Sequence, residues 1–267
     1  PLLSACDGEA KEPKPAATIS LTNSDDSGDD KDTAPAGKAC TSATFEGARF
    51  THCTATPRQQ AIRMVLKNKD GAPYRDLKRL SDAMGDDSRA RVAFAMNGGM
   101  YDAEGLPVGY YVEKGERLKT LNRNKGDGNF HMLPNGVFMV DGDTWSIRTA
   151  DDFADNVTKR PAYATQSGPM ILINGKLHPE ISDNGNSLRI RNAVGVDAKG
   201  NAHFVISDTP VSFGVLARWM RDTLKCRNAL YLDGTVSALW YPAGKRMNRT
   251  VPLGPLIVVE SARKGGA

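Results

Sequence analysis

Short apolar runs alternate with clusters of Gly, Asn, Asp and Pro along most of the chain, a rhythm that predicts strands joined by turns. Arg63-Met64-Val65-Leu66 reads as a strand ending at Asn68-Lys69-Asp70-Gly71. From Tyr74 to Met84 the period changes: Leu77, Leu80 and Met84 recur at helical spacing, the stripe of an amphipathic helix. Arg91 to Met96 is apolar beyond its first residue, as expected of a strand buried on both faces, and breaks at Asn97-Gly98-Gly99. Tyr110–Glu113, Val137–Val140 and Trp145–Arg148 read as strands, the last two joined at Asp141-Gly142-Asp143. Met170–Ile173 and Lys176–Leu177 flank Asn174-Gly175, a strong hairpin signal. Ala193–Val196 and His203–Ile206 repeat the pattern around Asp197-Ala198-Lys199-Gly200. Phe213 to Leu224 reads as a helix capped by Ser212, and Ala229–Leu232 as a buried strand stopping at Asp233-Gly234.

Strands outnumber helices and connect mostly by hairpins, which predicts an α+β fold: a single domain with a mixed or antiparallel sheet and a few flanking helices. The domain is expected over residues 40–262, with a flexible tail at 263–267. No apolar run of membrane-spanning length occurs.

Charge divides the chain. Of its 267 residues, 1–38 hold four Lys and eight acidic residues, while the remainder holds 31 basic and 23 acidic ones. A body with net charge near +8 suits an anionic substrate and is too weakly basic to indicate nucleic acid. Leu3-Ser4-Ala5-Cys6 resembles a bacterial lipobox, with Cys6 as the lipidated residue. Asp7 to Lys38 is polar and nearly free of large apolar side chains, so residues 1–39 are expected to be a lipobox remnant and a disordered acidic tether. That reading implies an extracytoplasmic protein anchored to a membrane through Cys6. Three other cysteines remain. Cys40 and Cys53 flank a turn and can face each other across a hairpin; Cys53 with Cys226 is the rival pairing. No Cys/His spacing points to zinc, and no metal or other cofactor is expected.

Several strands end in polar or small residues: Asn97-Gly98-Gly99, Gln166-Ser167-Gly168, Arg189-Ile190-Arg191-Asn192 and Asp233-Gly234-Thr235-Val236-Ser237. Converging, they would form a polar site with a guanidinium clamp and a carboxylate. Asp102, Glu104 and Asp208 are weaker candidates for a second acid, because acids in polar turns are usually solvated. No Gly-x-Ser-x-Gly elbow and no Walker or Rossmann signature is present.

The ordered series AMNGGMY (95–101), PVGYYVEKG (107–115), GNFHMLPNGVF (128–138), ATQSGPMILINGKLHP (164–179), RNAVGVD (191–197) and CRNALYLDGTVSALWYP (226–242) resembles the phosphodiester glycosidase family over residues 43–260. That family includes the catalytic domain of the mammalian uncovering enzyme, and the likeness is nearer to its bacterial exported branch. The resemblance implies hydrolysis of a glycosyl phosphodiester, with Asp233 as base or nucleophile, Arg191 as phosphate clamp and Asn97 as a third catalytic group. It implies substrate contacts from Gly98, Gly99, Tyr101, His131, Gln166, Ser167, Arg189, Asn192, Thr235 and Ser237. Gly234-Thr235-Val236 departs from the more Gly-rich stretch of the mammalian branch, which separates this chain from that branch's specificity. The alternative is a non-catalytic surface module that binds phosphorylated glycans with the same clamp.

Overall fold

The computed structural model describes residues 39–248 and 252–262. Cys6, nearly all of the expected tether and the tail at 263–267 lie outside the described residues.

The first strands are β1 (Cys40–Phe45), β2 (Ala48–Ala55), β3 (Gln60–Val65), β4 (Val92–Asn97), β5 (Tyr111–Glu113) and β6 (Glu116–Lys119). Next come β7 (Gly136–Asp141), β8 (Thr144–Thr149), β9 (Tyr163–Ser167), β10 (Met170–Ile173) and β11 (Lys176–Leu177). The last are β12 (Asn192–Asp197), β13 (Ala202–Ser207), β14 (Cys226–Tyr231), β15 (Leu239–Tyr241), β16 (Arg246–Met247) and β17 (Leu256–Ser261). Helices are α1 (Leu77–Ala83), α2 (Asp86–Ala90), α3 (Ala150–Asn156) and α4 (Phe213–Asp222). The strands form three sheets, ordered β1-β2-β13-β12-β14-β10-β11, β16-β15-β4-β17-β3 and β6-β5-β9-β7-β8. Pairing between these strands is antiparallel throughout, the α+β class expected from the hairpin-rich sequence.

The three sheets share one core. Phe94 on β4, Phe138 on β7 and Phe204 on β13 come from different sheets and are fully buried. Phe204 meets Phe94 at 5.2 Å and Phe138 at 5.9 Å, both edge to face, the geometry that aromatic quadrupoles favour. Each buried aromatic of this kind contributes about 2–3 kcal/mol of apolar transfer. On the other face of the seven-stranded sheet, Trp219 of α4 stacks on Phe50 at 4.1 Å. Helix α4 starts where predicted, because the Ser212 hydroxyl accepts from the Val215 N–H at 3.2 Å. Helix α1 starts at Leu77, later than the periodicity implied, because Asp76 caps it through the N–H groups of Lys78 and Arg79.

Cys40 and Cys53 stand opposite each other in the β1–β2 register and form a disulfide, which excludes the rival pairing with Cys226. Closing that short loop contributes about 3 kcal/mol in the chain-entropy account. Cys226 is a buried free thiol whose pKa burial pushes up to about 12. Among the described residues no helix is long and apolar enough to cross a membrane.

Candidate active site

Two clusters of buried amides hold the strand ends: Asn97 ties the end of β4 to the start of β12 and the loop after β14, and Gln166 ties the end of β9 to Tyr110, Asn122 and Asn135. Asn97 donates from Nδ2 to the Asp233 carbonyl at 2.8 Å. Its Oδ1 accepts from Asn192 Nδ2 and from the Ala238 N–H, both at 2.9 Å. Gln166 accepts at Oε1 from the N–H groups of Tyr110 (2.7 Å) and Asn122 (3.0 Å). From Nε2 it donates to the Asn122 carbonyl and to Asn135 Oδ1. Both amides are buried, and each is held at its oxygen and its nitrogen by partners within the protein. The expectation that Asn97 and Gln166 present free amides to a sugar is therefore corrected: they position the loops that carry the site.

Gly98 and Gly99 are corrected in the same way. The Gly98 N–H donates to the Pro255 carbonyl at 2.7 Å, and its own carbonyl accepts from the Asp233 N–H at 3.2 Å. The Gly99 N–H donates to Thr165 Oγ1. A Cβ on Gly99 would lie 2.3 Å from the Gln166 carbonyl oxygen, so glycine is required there for strand contact. Ser167 and Asn192 are also fully buried. Ser167 Oγ and Asn192 Oδ1 are buried polar atoms without a hydrogen-bond partner in the structure.

Next to these amides lies a cavity of about 290 Å³. Arg189, Ile190 and Arg191 form one wall, and Tyr231, Gly234 and Thr235 another, with Asn129 and Ser187 beside them. Arg191 is 2% exposed, so its position is fixed by partners. Its Nε donates to the Val211 carbonyl at 2.9 Å, and its Nη2 donates to the Ser187 carbonyl (2.9 Å) and Oγ (3.2 Å). Its guanidinium carbon lies 3.7 Å from the Phe213 ring centroid and 5.6 Å from that of Tyr231. With Nε and Nη2 engaged and Tyr231 also bonded to the guanidinium, a bidentate phosphate contact would displace one of these partners. Arg189 is exposed; its Nη1 donates only to the Leu188 carbonyl at 3.0 Å, leaving most of its fork for an anion.

Asp233 carries the carboxylate at this edge. It is partly buried, its side chain accepts from the Thr235 N–H at 3.2 Å, and the lining residues Tyr231, Gly234 and Thr235 surround it in sequence. Burial raises its pKa above the ordinary carboxylate value, opposed by the Thr235 N–H. Burial also raises the Tyr231 pKa, and the Arg191 cation opposes that shift. A Cβ on Gly234 would fall 2.0 Å from Tyr231 Oη, so this glycine lets the loop lie against the tyrosine. Thr235 is exposed at the rim, whereas Ser237 Oγ donates to the Gly234 carbonyl at 2.9 Å and braces the loop from behind.

Two predicted contacts serve packing. His131 Nδ1 bonds the Asn124 carbonyl at 2.7 Å, and its ring meets Phe130 edge to face; the wall residue from this turn is Asn129. Tyr101 donates its hydroxyl to the Pro252 carbonyl, and its ring lies so close to Gly254 that a Cβ there would clash. The weaker acids are structural too. Asp102 Oδ1 caps the Leu106 N–H, and Asp208 holds Thr51 and Arg246. A larger hollow of about 390 Å³, lined by Leu133, Pro134, Asn135 and Ala150 with the Arg123–Asp151 pair on its wall, contains none of the predicted site residues. Sequence reasoning missed Asn129, Ser187, Ile190 and Tyr231. Tyr231 was legible only as a member of an apolar strand.

The profile of the phosphodiester glycosidase family matches residues 90–258, more than half of the chain and all of the elements that build this site. The chain is 36% identical over 212 residues to Uncharacterized protein YigE of Escherichia coli (strain K12), covering 79% of this chain and 81% of that protein. Its fold is similar to the catalytic domain of zebrafish N-acetylglucosamine-1-phosphodiester alpha-N-acetylglucosaminidase, auto-inhibited by its pro-peptide (TM-score 0.56, 14% identity, 87% of this chain and 86% of that one). A hypothetical protein from Synechocystis is also similar (TM-score 0.52, 15% identity, 84% of this chain and 61% of that one). The sequence matches establish the family, and the structural likenesses agree on the fold: the chain belongs to the phosphodiester glycosidases.

Proposed function

We propose that the chain is an extracytoplasmic, lipid-anchored hydrolase that cleaves the bond between a sugar's anomeric carbon and a phosphodiester oxygen. The observation that carries the reading is the partly buried Asp233 carboxylate, on the loop whose Gly234 and Thr235 line the cavity walled by Arg189 and Arg191, although Asp233 itself is not a lining residue. The arginines hold the phosphate, Arg191 as a fixed charge and Arg189 as an adaptable one. Asp233 takes a proton from water as the water oxygen bonds to the anomeric carbon. The carbon–oxygen bond breaks, and its electron pair leaves on the phosphate monoester. A phosphate is a good leaving group, so no strong general acid is needed opposite Asp233. Burial suits Asp233 to the base role, because a carboxylate with a raised pKa accepts a proton more readily. The lipobox-like Leu3-Ser4-Ala5-Cys6 and the Cys40–Cys53 disulfide support an exported, oxidising location.

The test is hydrolysis of a panel of glycosyl phosphodiesters, beginning with N-acetylglucosamine-1-phosphodiesters because the zebrafish relative is named for them. Asp233→Asn should remain folded and lose about 10²–10⁴-fold in turnover. Undiminished turnover in that variant overturns the assignment. Wild-type turnover should fall as pH drops through the raised Asp233 pKa, since the base works only when ionised.

A further inference from the structure

Resting on this reading of the site, we propose that the hollow across the 187–191 segment from the arginine-walled cavity is a subsite for an aliphatic group carried on the phosphate's other ester oxygen. The substrate class is then an alkyl-type or prenyl-type glycosyl phosphodiester. The hollow measures about 340 Å³, and Ala48, Leu188, Pro210, Val211 and Val215 give it apolar walls. Its polar groups already have partners. The Glu46 carboxylate is held by Arg218, Nε to Oε1 at 2.9 Å and Nη2 to Oε2 at 2.5 Å. Thr209 Oγ1 accepts from the Arg49 N–H, and Ser212 Oγ caps α4. A hollow so lined offers methylene groups apolar contact along one side of a mixed wall.

The two hollows flank one paired backbone segment. Arg189 and Val211 pair as an antiparallel bridge, with the Arg189 N–H donating to the Val211 carbonyl at 3.2 Å and the Val211 N–H to the Arg189 carbonyl at 2.8 Å. Arg189, Ile190 and Arg191 line one hollow, while Leu188 and Val211 line the other. Paired strands lie about 5 Å apart, so the partition between the hollows is narrow. The divider is also where apolar surface concentrates. Only four large apolar side chains are exposed among the described residues, and Leu188 (53%) and Ile190 (37%) are two of them.

Isothermal titration of the full chain with octyl phosphate and with glycerol phosphate tests the subsite without requiring turnover. Octyl phosphate should bind at least tenfold more tightly, and Leu188→Ser, a change at an exposed position, should reduce the ratio below threefold. Equal binding of the two probes, or a preference that survives Leu188→Ser, overturns the proposal. The octyl and glyceryl diesters of the sugar 1-phosphate then separate this inference from the functional reading beneath it. Hydrolysis of both at equal kcat/KM removes the subsite and leaves the hydrolase. Hydrolysis of neither, with the binding preference intact, removes the hydrolase and leaves the subsite.

Discussion

The buried amide lattice and the exposed arginine rim lie within one site and differ in almost every physical respect. Asn97 and Gln166 are neutral, buried and held by hydrogen bonds, Asn97 to Asn192 and the Asp233 carbonyl and Gln166 to Asn135. Arg189 and Thr235 are exposed, and Arg189 is weakly held. Residues of the lattice gain their value from being satisfied, since a buried amide left unpaired is expensive. Residues of the rim gain theirs from what remains unsatisfied. The motif-rich segments therefore mix two kinds of residue, and only the structure sorts them.

The contrast breaks most readily at Gln166. Gln166→Ala removes four hydrogen bonds and strands the Tyr110 and Asn122 N–H groups, for an expected loss of about 3–5 kcal/mol in denaturant unfolding. A variant that kept wild-type stability while losing activity would move Gln166 from lattice to substrate contact. Acid should then separate the lattice from the protein's titratable interior, because the lattice carries no proton to titrate. Burial, reinforced by His203, lowers the His52 pKa to about 4; its ring bonds His203, which in turn bonds Asp197. The unfolded chain therefore takes up a proton near pH 6.5 that the folded chain refuses until about pH 4. Stability should fall by about 3 kcal/mol as pH drops through that window, and His52→Gln should flatten the profile. A profile unchanged in His52→Gln would place the acid sensitivity elsewhere. At the rim, Arg189→Gln should leave the unfolding midpoint within about 0.5 kcal/mol and raise KM roughly tenfold, a loss of about 1.4 kcal/mol in binding. An equal drop in kcat with KM unchanged would mean that Arg189 acts in the transition state alone.

Local physics explains what the sequence made legible. The Asn174-Gly175 hairpin, the Ser212 cap and the buried β4 and β14 runs each obey a rule that operates within a few residues. β9 was hidden because Tyr-Ala-Thr-Gln-Ser has neither apolar continuity nor strict alternation; its burial comes from β5 and β7, distant in sequence. The site was legible as a set of strand ends, of which the 189–191 and 234–235 segments reach the cavity while Asn97 and Gln166 stay in the buried layer. The role of each member was not legible, because an amide's partners are fixed by tertiary contacts. Asn97 and Arg189 look equally available along the chain and occupy opposite conditions in space.

The Cys40–Cys53 bond has a mechanical consequence. β1 is an edge strand, and its first residue faces Cys53 of β2, a strand paired on its other side with β13. Tension arriving along the chain from the amino-terminal side enters at Cys40, where an antiparallel edge would otherwise unzip one hydrogen bond at a time. The covalent bond at that first pair carries the load past β1 directly into β2. A protein held at a surface by its leading segment could then be pulled without peeling, and reduction would turn the same edge into its weakest seam.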